Sequence, residues 1–367
     1  MVIRRPTLLI DKQRALHNIY RMKTKADRYG IQLRPHFKTH QSATVGEWFR
    51  SAGVEAITVS SVAMARYFAD DGWSDITIAF PVNLREMDEI NELAERITLH
   101  VLVESAETVD FLANNITHHL NAWIKIDTGS HRTGIASDRP EEIRAVAGTI
   151  ANADRITLKG ILTHAGHTYN ARSKEEIQKI HEDSTEQMRN VRAMLSSERF
   201  SGIEISVGDT PTASVAENWD GIDEMRPGNF VFYDVIQYFI GSCGFEDIAV
   251  VVACPVVAKH EGRQEIVIYG GAVHYSKDGT VDEEGRKIFG LIADHVSDTI
   301  GPVRSGSYVR SASQEHGIVK AAKDLFNRIK QGDLLYVVPV HSCLAMNLLN
   351  DVYTLDGERV THMRSGL

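Results

Sequence analysis

The sequence predicts an α/β protein with a (β/α)8 TIM-like barrel and a second, mainly antiparallel β domain. Short β-rich runs alternate with amphipathic helical segments, and eight such runs lie between residues 31 and 234. No GxGxxG motif follows the first run, which disfavours a doubly wound open sheet as the alternative. After about residue 242, strand-like runs follow one another with only short helical segments between them.

The eight barrel strands are predicted from apolar, β-branched runs bounded by turn-forming residues. They cover residues 31–38, 55–61, 75–81, 97–105, 121–129, 156–166, 202–210 and 224–234. The intervening segments include the amphipathic stretches 41–53 and 173–198. We therefore expect the barrel domain to cover residues 12–242.

The β domain is predicted over residues 243–367. Its strand-like runs are 248–260, 264–276, 333–346 and 351–355, and a short helical segment covers 320–330. The run "TLLID" near the N-terminus precedes the barrel. We expect residues 1–11 to join this second domain.

Composition limits the partners that the protein could have. The chain has 367 residues and a formal net charge of -9, which disfavours nucleic acid or an anionic membrane as its main partner. It has no apolar run long enough to span a bilayer, and "MVIRRPTLLIDKQ" lacks the apolar region of a secretory signal. The three cysteines form no CxxC pair, so we expect a cytoplasmic protein without disulfides.

Chemically useful residues follow the predicted strands. Lys38 ends the first strand, "DTGSHR" (127–132) follows the fifth, and "HAGHTY" (164–169) follows the sixth. "VGDTPT" (207–212) and "RPGN" (226–229) lie at the seventh and eighth. In a barrel all these positions meet at the C-terminal mouth, which is where such enzymes keep their active sites.

Lys38 lies in "RPHFKTH" (34–40), where basic residues alternate along a predicted buried strand. A desolvated lysine among cations has a lowered pKa, and its neutral amine can attack an aldehyde. The alternative is a lysine that points to solvent at the strand end. Arg34, His36 and His40 could tune this amine or could simply fill the barrel.

The two glycine-containing loops could bind a phosphate. Gly208, and Gly228 with Asn229, let the backbone approach a ligand closely, and Thr210 and Thr212 offer hydroxyl groups. Two ordinary Gly/Pro turns are the alternative.

The loops after the fifth and sixth strands carry further candidates. Arg132 could pair with a phenolate or carboxylate of a ligand, or with a surface carboxylate. His164, His167 and Tyr169 could act as bases or stack on a ring, or they could be structural.

His341 and Cys343 in "PVHSCLAMN" are two residues apart, so on a strand both side chains would face the same way. An imidazole and a thiolate suit zinc, and two protein ligands leave room for water or substrate. A buried cysteine beside an ordinary histidine is the alternative.

Together these motifs resemble the fold-type III (alanine-racemase-like) pyridoxal 5'-phosphate (PLP) enzymes, and within them the D-serine dehydratase / D-threonine aldolase family. The resemblance covers nearly the whole chain. It implies that PLP contacts Lys38 as the Schiff-base lysine, Arg132 near the ring, Tyr169 by the pyridine nitrogen, and Thr210, Gly228 and Asn229 at the phosphate. "SQEHG" (313–317) is also similar to the family, although no role follows for Glu315 or His316.

The resemblance also distinguishes two branches of the family by their metal motif. Its dehydratases carry His-x-Cys at this position, whereas its aldolases carry His-x-Asp. His341 and Cys343 therefore imply a lyase that uses zinc or another divalent metal to eliminate water from a β-hydroxy D-amino acid. The first choice of substrate is D-serine, which would give pyruvate and ammonia. D-threo-3-hydroxyaspartate dehydratases share the pattern, and the resemblance also implies a homodimer.

Three other functions stay open at this point. A D-threonine or 3-hydroxy-D-amino acid aldolase would use His164 or His167 as the base. An amino-acid racemase would have no use for the metal pair. A non-catalytic PLP carrier would not need the second domain.

Overall fold

The computed structural model describes residues 2–198 and 200–364. Contacts within the chain divide it into two compact units. The barrel unit comprises Arg21–Lys38 and Phe49–Gly228. The sheet unit comprises Thr39–Trp48 together with the described residues up to Tyr20 and from Asn229 onward. The domain limits predicted at residues 12, 242 and 243 stay a prediction.

The strands of the described chain are β1 (Thr7–Ile10), β2 (Gln32–Leu33), β3 (Ile57–Val59), β4 (Asp75–Pro81), β5 (Thr98–Val103), β6 (Leu120–Asp127), β7 (Ile135–Ala136), β8 (Ile156–Leu162), β9 (Glu204–Val207), β10 (Glu224–Met225), β11 (Val250–His260), β12 (Glu265–Tyr269), β13 (Thr280–Val281), β14 (Lys287–Ile288), β15 (Gly290–Ala293), β16 (Val303–Ala312), β17 (His316–Lys320), β18 (Leu334–Pro339) and β19 (Val352–Thr354). The α-helices are α1 (Lys12–Tyr29), α2 (Ala43–Ser51), α3 (Val62–Asp70), α4 (Met87–Arg96), α5 (Ala106–Asn115), α6 (Pro140–Ala151), α7 (Lys174–Glu198), α8 (Thr210–Val215), α9 (Val235–Phe239), α10 (Ala272–Tyr275), α11 (Lys323–Arg328) and α12 (Ser342–Leu348).

The barrel unit contains a closed parallel barrel. Its strands follow one another in space as they do along the chain, from β2 through β3, β4, β5, β6, β8 and β9 to β10, which pairs with β2. A bridge between His36 and Thr58 joins the first strand to β3. The predicted eight-stranded barrel is thus confirmed, and β7 pairs with β6 outside the ring.

The first and last barrel strands are shorter than predicted. Only β2 and β10 form regular ladders in the predicted runs 31–38 and 224–234. Pro35 and Pro227 have no backbone N–H to extend them, although their carbonyls accept hydrogen bonds from Thr58 and His36. The expected buried strand in "RPHFKTH" is therefore wrong. Lys38 instead lies in the 3-10 turn Phe37–Thr39.

The barrel interior is charged as well as apolar. Arg34 is 2% exposed, and its guanidinium donates to the carboxylates of Glu224 and Asp75. His100 Nε2 lies 3.1 Å from Asp75, and the Trp123 indole donates to His100 Nδ1. A buried positive charge on the first strand is thus compensated by carboxylates of β4 and β10.

The sheet unit holds a mainly antiparallel sheet in the order β12-β17-β16-β15-β18-β11-β1-β19. Because β12 also pairs with β11, six of these strands close into a barrel. β1 pairs antiparallel with β11, and its pairing with β19 is the parallel one. The predicted antiparallel β architecture is confirmed.

Two predicted strand segments of this unit turn into helices. β12 ends at Tyr269 and α10 follows, where the predicted strand continued to residue 276. A Cβ on Gly271 would lie 2.4 Å from the Ser313 carbonyl oxygen, so glycine allows this close turn. Likewise β18 ends at Pro339, and α12 begins inside the run predicted as a strand. In the described chain, none of the helices combines the length and the apolar composition that crossing a membrane requires.

Candidate active site

Lys38 follows the first barrel strand, at the C-terminal ends of the barrel strands as predicted. Its side chain is exposed, whereas Phe37 beside it is buried. The Lys38 backbone N–H faces the His36 Nδ1 atom at 3.4 Å. The 3-10 turn therefore buries the phenylalanine and leaves the lysine amine at the barrel mouth.

Two neutral imidazoles accompany this lysine. Burial, together with the positive charges of Lys38 and Arg226, holds the pKa of His36 well below its usual value. Burial and the charges of Lys38 and Arg132 do the same to the pKa of His164. The His164 Nδ1–H donates to the Gly208 carbonyl, so Nε2 is its unprotonated nitrogen.

The segments after β8 and β9 contact each other at three successive points. His164 binds the Gly208 carbonyl, the Thr168 hydroxyl lies 3.0 Å from the Asp209 carboxylate, and the Thr210 N–H lies 3.4 Å from the Tyr169 hydroxyl oxygen. The structure thus brings together Tyr169 and Thr210, two of the predicted cofactor residues.

The Thr210 side chain fits a ligand phosphate. Its hydroxyl is completely buried and has no hydrogen-bond partner in the described chain. A Cβ on Gly208 would lie 2.9 Å from the Arg226 Cβ, so the backbone here is tightly packed. A buried hydroxyl without a partner is costly unless a ligand satisfies it, and a phosphate oxygen would do so. The residues present therefore fit PLP.

The loop after β6 presents Arg132. The Asp127 carboxylate accepts hydrogen bonds from the N–H groups of residues 129, 130 and 131, which fixes the loop. Gly134 has a φ of +110°, and a Cβ there would lie 2.8 Å from the Asp127 nitrogen, so glycine is required. Arg132 is exposed and has no hydrogen-bond or ion-pair partner among residues 2–198 and 200–364. Its guanidinium is available to an anionic ligand.

Arg226, by contrast, is used within the barrel. Its guanidinium donates to the Ser206 hydroxyl at 2.6 Å and to the Thr163 carbonyl at 2.5 Å. Burial lowers the pKa of Arg226 to about 10, so the group is still charged at neutral pH. Its position makes it a source of positive potential rather than a direct anion ligand.

The predicted metal pair lies in the sheet unit, at the turn between β18 and α12. His341 is the residue before the helix, and Cys343 is in its first turn. The expectation that both lie on one strand is therefore wrong, but the turn still brings the two side chains into hydrogen-bond contact. Both are half-buried.

Polar groups surround the pair. Asn229 Nδ2 donates to the Cys343 sulfur at 3.6 Å, and the Thr39 hydroxyl lies 3.3 Å from that sulfur. His341 Nδ1 lies 3.2 Å from an Asp278 carboxylate oxygen. Burial lowers the pKa of His341, but Cys343 and the nearby carboxylates outweigh this and raise it to about 10.

These contacts fit a divalent metal held by two protein ligands. Hydrogen bonds to the sulfur favour the thiolate, which is the form that binds metals. With Asp278 at Nδ1, the His341 Nε2 atom is the one left for a metal. The described residues contain no group of three or more His, Cys, Asp or Glu that could hold an ion.

Asn229 has a different setting from the one predicted for it. Its Nδ2 group donates to Asp234 at 2.6 Å and to the Ser342 hydroxyl at 3.0 Å, as well as to the Cys343 sulfur. Within the sheet unit its side chain thus supports the predicted metal pair. A role for Asn229 at the cofactor phosphate stays a prediction.

Sequence reasoning missed the carboxylates that organise these sites. Asp209, Asp234 and Asp278 contact candidate residues. Asp209 and Asp234 had a local signal, because they precede α8 and α9 and their side chains cap those helices. Asp278 had none. Glu315 lies 3.6 Å from His274, and His316 begins β17.

Two family models match the chain. The alanine racemase N-terminal domain matches residues 10–234, and the putative serine dehydratase domain matches residues 249–355. An alanine racemase from Corynebacterium glutamicum has the same fold, with a TM-score of 0.67 at 16% identity over 96% of this chain and 99% of that one.

Curated relatives resemble the chain over nearly its full length. It is 32% identical to the D-threo-3-hydroxyaspartate dehydratase of Delftia sp. (strain HT23), covering 92% of this chain and 90% of that protein. It is 25% identical to the D-serine dehydratase of Dictyostelium discoideum, over 96% and 93%. The solved Delftia structure superimposes with a TM-score of 0.90, covering 98% of this chain and 96% of that one.

Two variants of a D-threo-3-hydroxyaspartate dehydratase also superimpose on the chain, with TM-scores of 0.91 and 0.90. One carries a cysteine-to-alanine change and is described as metal-free, and the other carries a histidine-to-alanine change two positions earlier. Fold, family models and relatives agree, and the chain belongs to the D-serine dehydratase / D-threonine aldolase family of fold-type III, alanine-racemase-like PLP enzymes, as a lyase-type enzyme.

Proposed function

We propose that the protein is a PLP- and divalent-metal-dependent dehydratase of β-hydroxy D-amino acids, with D-threo-3-hydroxyaspartate as its leading substrate. The observation that carries the proposal is the pair His341 and Cys343 at one helix start. In the solved D-threo-3-hydroxyaspartate dehydratase variants the altered histidine and cysteine are likewise two residues apart. The metal would be zinc or another divalent ion.

Residues of the barrel mouth would hold the cofactor. Lys38 is the exposed amine that would bind the PLP aldehyde, and Thr210 has the unsatisfied buried hydroxyl that would meet the phosphate. Tyr169 would face the pyridine nitrogen, and Gly228 would let the phosphate approach the backbone. When bound, PLP supplies the electron sink that makes the α-proton acidic.

In the proposed reaction Lys38 Nζ takes the α-proton of the substrate. A neutral amine is needed for this, and the exposed position of Lys38 lets its amine exchange its proton with water. Tyr169 as a neutral phenol would not force protonation of the pyridine nitrogen, unlike a carboxylate. Less charge delocalisation would then favour prompt loss of the β-hydroxyl.

His341 and Cys343 would orient a metal toward the leaving group. His341 would use Nε2, because Asp278 lies at Nδ1 and fixes the ring. Cys343 would be the thiolate ligand, supported by Asn229 and Thr39. The ion would act as a Lewis acid that makes the β-hydroxyl a better leaving group.

The comparisons favour D-threo-3-hydroxyaspartate over D-serine, the first choice from sequence. The Delftia dehydratase is 32% identical to the chain, against 25% for the Dictyostelium D-serine dehydratase. A β-carboxylate needs an additional basic side chain, for which the sequence offers Arg34, His131 and Arg132. Arg34 is neutralised by Glu224 and Asp75 inside the barrel, which excludes it.

Arg132 is the better of the two remaining candidates. His131 lies 3.2 Å from the Asp127 carboxylate, whereas Arg132 has no such partner in the described chain. An unpaired exposed guanidinium can bind a carboxylate in a bidentate manner. We therefore expect Arg132 to contact an anionic group of the substrate or of the cofactor.

A product assay tests the proposal. The purified enzyme, supplied with PLP and Zn²⁺, is incubated with D-threo-3-hydroxyaspartate, D-serine and D-threonine. We expect oxaloacetate and ammonia from the first, with a higher kcat/KM than for D-serine to pyruvate. Faster turnover of D-serine would reverse the substrate order. Glycine and acetaldehyde from D-threonine would instead indicate an aldolase.

Lys38→Ala tests the cofactor assignment. The variant should lose the visible absorption of the PLP Schiff base and all turnover. Lys159→Ala is a matched control, since that lysine lies in the middle of β8 and pairs with Glu204, the first residue of β9. A chain that binds PLP through Lys38 but turns over none of the three substrates would favour a carrier.

A further inference from the structure

Asp209 connects the two segments that carry the proposed cofactor contacts. It follows β9, is 4% exposed, and accepts the Thr212 N–H at 2.7 Å through Oδ1. The same oxygen lies 3.0 Å from the Thr168 hydroxyl. Thr168 is completely buried and directly precedes Tyr169.

We infer that Asp209 and Thr168 form a lock that sets the distance between Tyr169 and Thr210 and thereby shapes the PLP site. Three successive residues contact the other segment, since Gly208, Asp209 and Thr210 bind His164, Thr168 and Tyr169, respectively. The middle contact is the one made by two buried side chains. The outer two hydrogen bonds depend on a backbone carbonyl and on a long backbone N–H contact of 3.4 Å.

The unpartnered Thr210 hydroxyl indicates what this lock serves. Hydrogen bonds within the protein satisfy Asp209 and Thr168, whereas Thr210, next to Asp209, keeps a buried hydroxyl without a partner. Two residues whose polar groups are hydrogen-bonded to each other, next to a buried hydroxyl that has no partner, are the arrangement expected of a preorganised ligand site. Asp209 and Thr168 are thus positioning residues, which act through Tyr169 and Thr210.

The Thr168 hydroxyl has one proton and two oxygen neighbours. It lies 2.9 Å from the Ala165 carbonyl and 3.0 Å from Asp209. The single O–H is shared between the two acceptors. Burial raises the pKa of Asp209 to about 6, so at neutral pH the group is mainly the carboxylate, which accepts hydrogen bonds from Thr168 and Thr212.

The inference rests on the proposed PLP function and is tested by cofactor binding. PLP is removed from wild type, Thr168→Val and Thr168→Ser, and each apoprotein is titrated with PLP while the visible band is recorded. Thr168→Val should bind PLP about three- to tenfold more weakly, the usual effect of one buried hydrogen bond. Its absorption maximum should shift because Tyr169 moves relative to the ring. Thr168→Ser keeps the hydroxyl and should restore both properties.

Thr185→Val is the matched control. Thr185 is also buried, and its hydroxyl donates to the His181 carbonyl at 2.8 Å within α7, away from the site. This variant should bind PLP as the wild type does. The inference would be overturned if Thr168→Val bound PLP with the affinity and spectrum of the wild type. It would also be overturned if Thr168→Val and Thr168→Ser weakened PLP binding equally. Absence of PLP binding by the wild type would instead overturn the proposed function.

Discussion

Replacing Arg34 by methionine should destabilise the barrel unit by about 3–5 kcal/mol. Arg34 is 2% exposed and donates to Glu224, which is completely buried. In the variant, among the residues that the structure describes, the Glu224 carboxylate would keep only the Ser206 hydroxyl as a donor, with Arg226 3.9 Å away. Asp75 is 33% exposed and keeps His100, so it tolerates the loss better. The expected cost is therefore mainly that of one uncompensated buried carboxylate.

Two further variants separate this charge effect from lost packing. Arg34→Met combined with Glu224→Met removes both partners, and it should recover a large part of the loss because no buried charge is stranded. Arg66→Met breaks an exposed pair with Glu92, where the side chains are 43% and 64% exposed. We expect that change to stay within about 1 kcal/mol.

Urea unfolding of the PLP-free proteins at neutral pH measures these differences. Tryptophan fluorescence reports on the barrel, because Trp123 is buried on β6. Linear extrapolation to zero urea gives the free energies of unfolding. A loss below about 1 kcal/mol for Arg34→Met, or a double variant no more stable than the single one, would refute the reasoning.

The remaining predictions concern pH, the metal and assembly. Burial raises the pKa of Asp209 to about 6, so its ionisation costs native stability as pH rises from about 4 through 6. The free energy of unfolding of Asp209→Asn should therefore rise relative to that of the wild type between about pH 4 and pH 6. Urea unfolding of both proteins at these two pH values measures the difference, and a difference that does not change with pH would contradict the prediction. His341→Ala and Cys343→Ala should lose bound Zn²⁺ and turnover while keeping the PLP band, and Cys243→Ala should lose neither. If metal analysis found unchanged Zn²⁺ in His341→Ala and Cys343→Ala, these two residues would not be the metal ligands. The family resemblance predicts a homodimer, and light scattering that finds a fully active monomer would contradict it.

The fold could be predicted because hydrophobic periodicity determines element type over most of the chain. β4 has the predicted limits, residues 75–81, and α7 begins one residue after the predicted start at 173. Failures occur where short apolar runs carry no period. The residues 229–231 were predicted as strand but form a buried 3-10 turn, since complete burial removes the alternation that identifies a strand.

Strands of the sheet unit were missed for the opposite reason. β16 contains Ser, Gly and Arg along a surface that is partly exposed, so its composition resembles a loop. Its pairing with β15 and β17 determines its conformation, and those contacts are not local in sequence.

Candidate residues could be found from sequence where motif and strand end coincide, but their partners could not. Lys38, Arg132, Tyr169 and Thr210 all follow barrel strands, as the topology requires. Some of the carboxylates that hold these sites are distant in sequence. Asp278, for example, lies 63 positions from His341. No pattern in a single sequence connects such a pair.

Among the alternating basic residues from Arg34 to His40, Lys38 is the one with a reactive amine. Two carboxylates compensate Arg34, and burial lowers the pKa of His40 to about 3 and that of His36 well below its usual value. Both imidazoles are therefore neutral when Lys38 is required to act. Lys38 is also the exposed member of the series, and exposure lets an aldehyde cofactor and an incoming substrate exchange at its amine. Compensating the other groups allows the segment to hold a nucleophile at the mouth without a buried excess of positive charge.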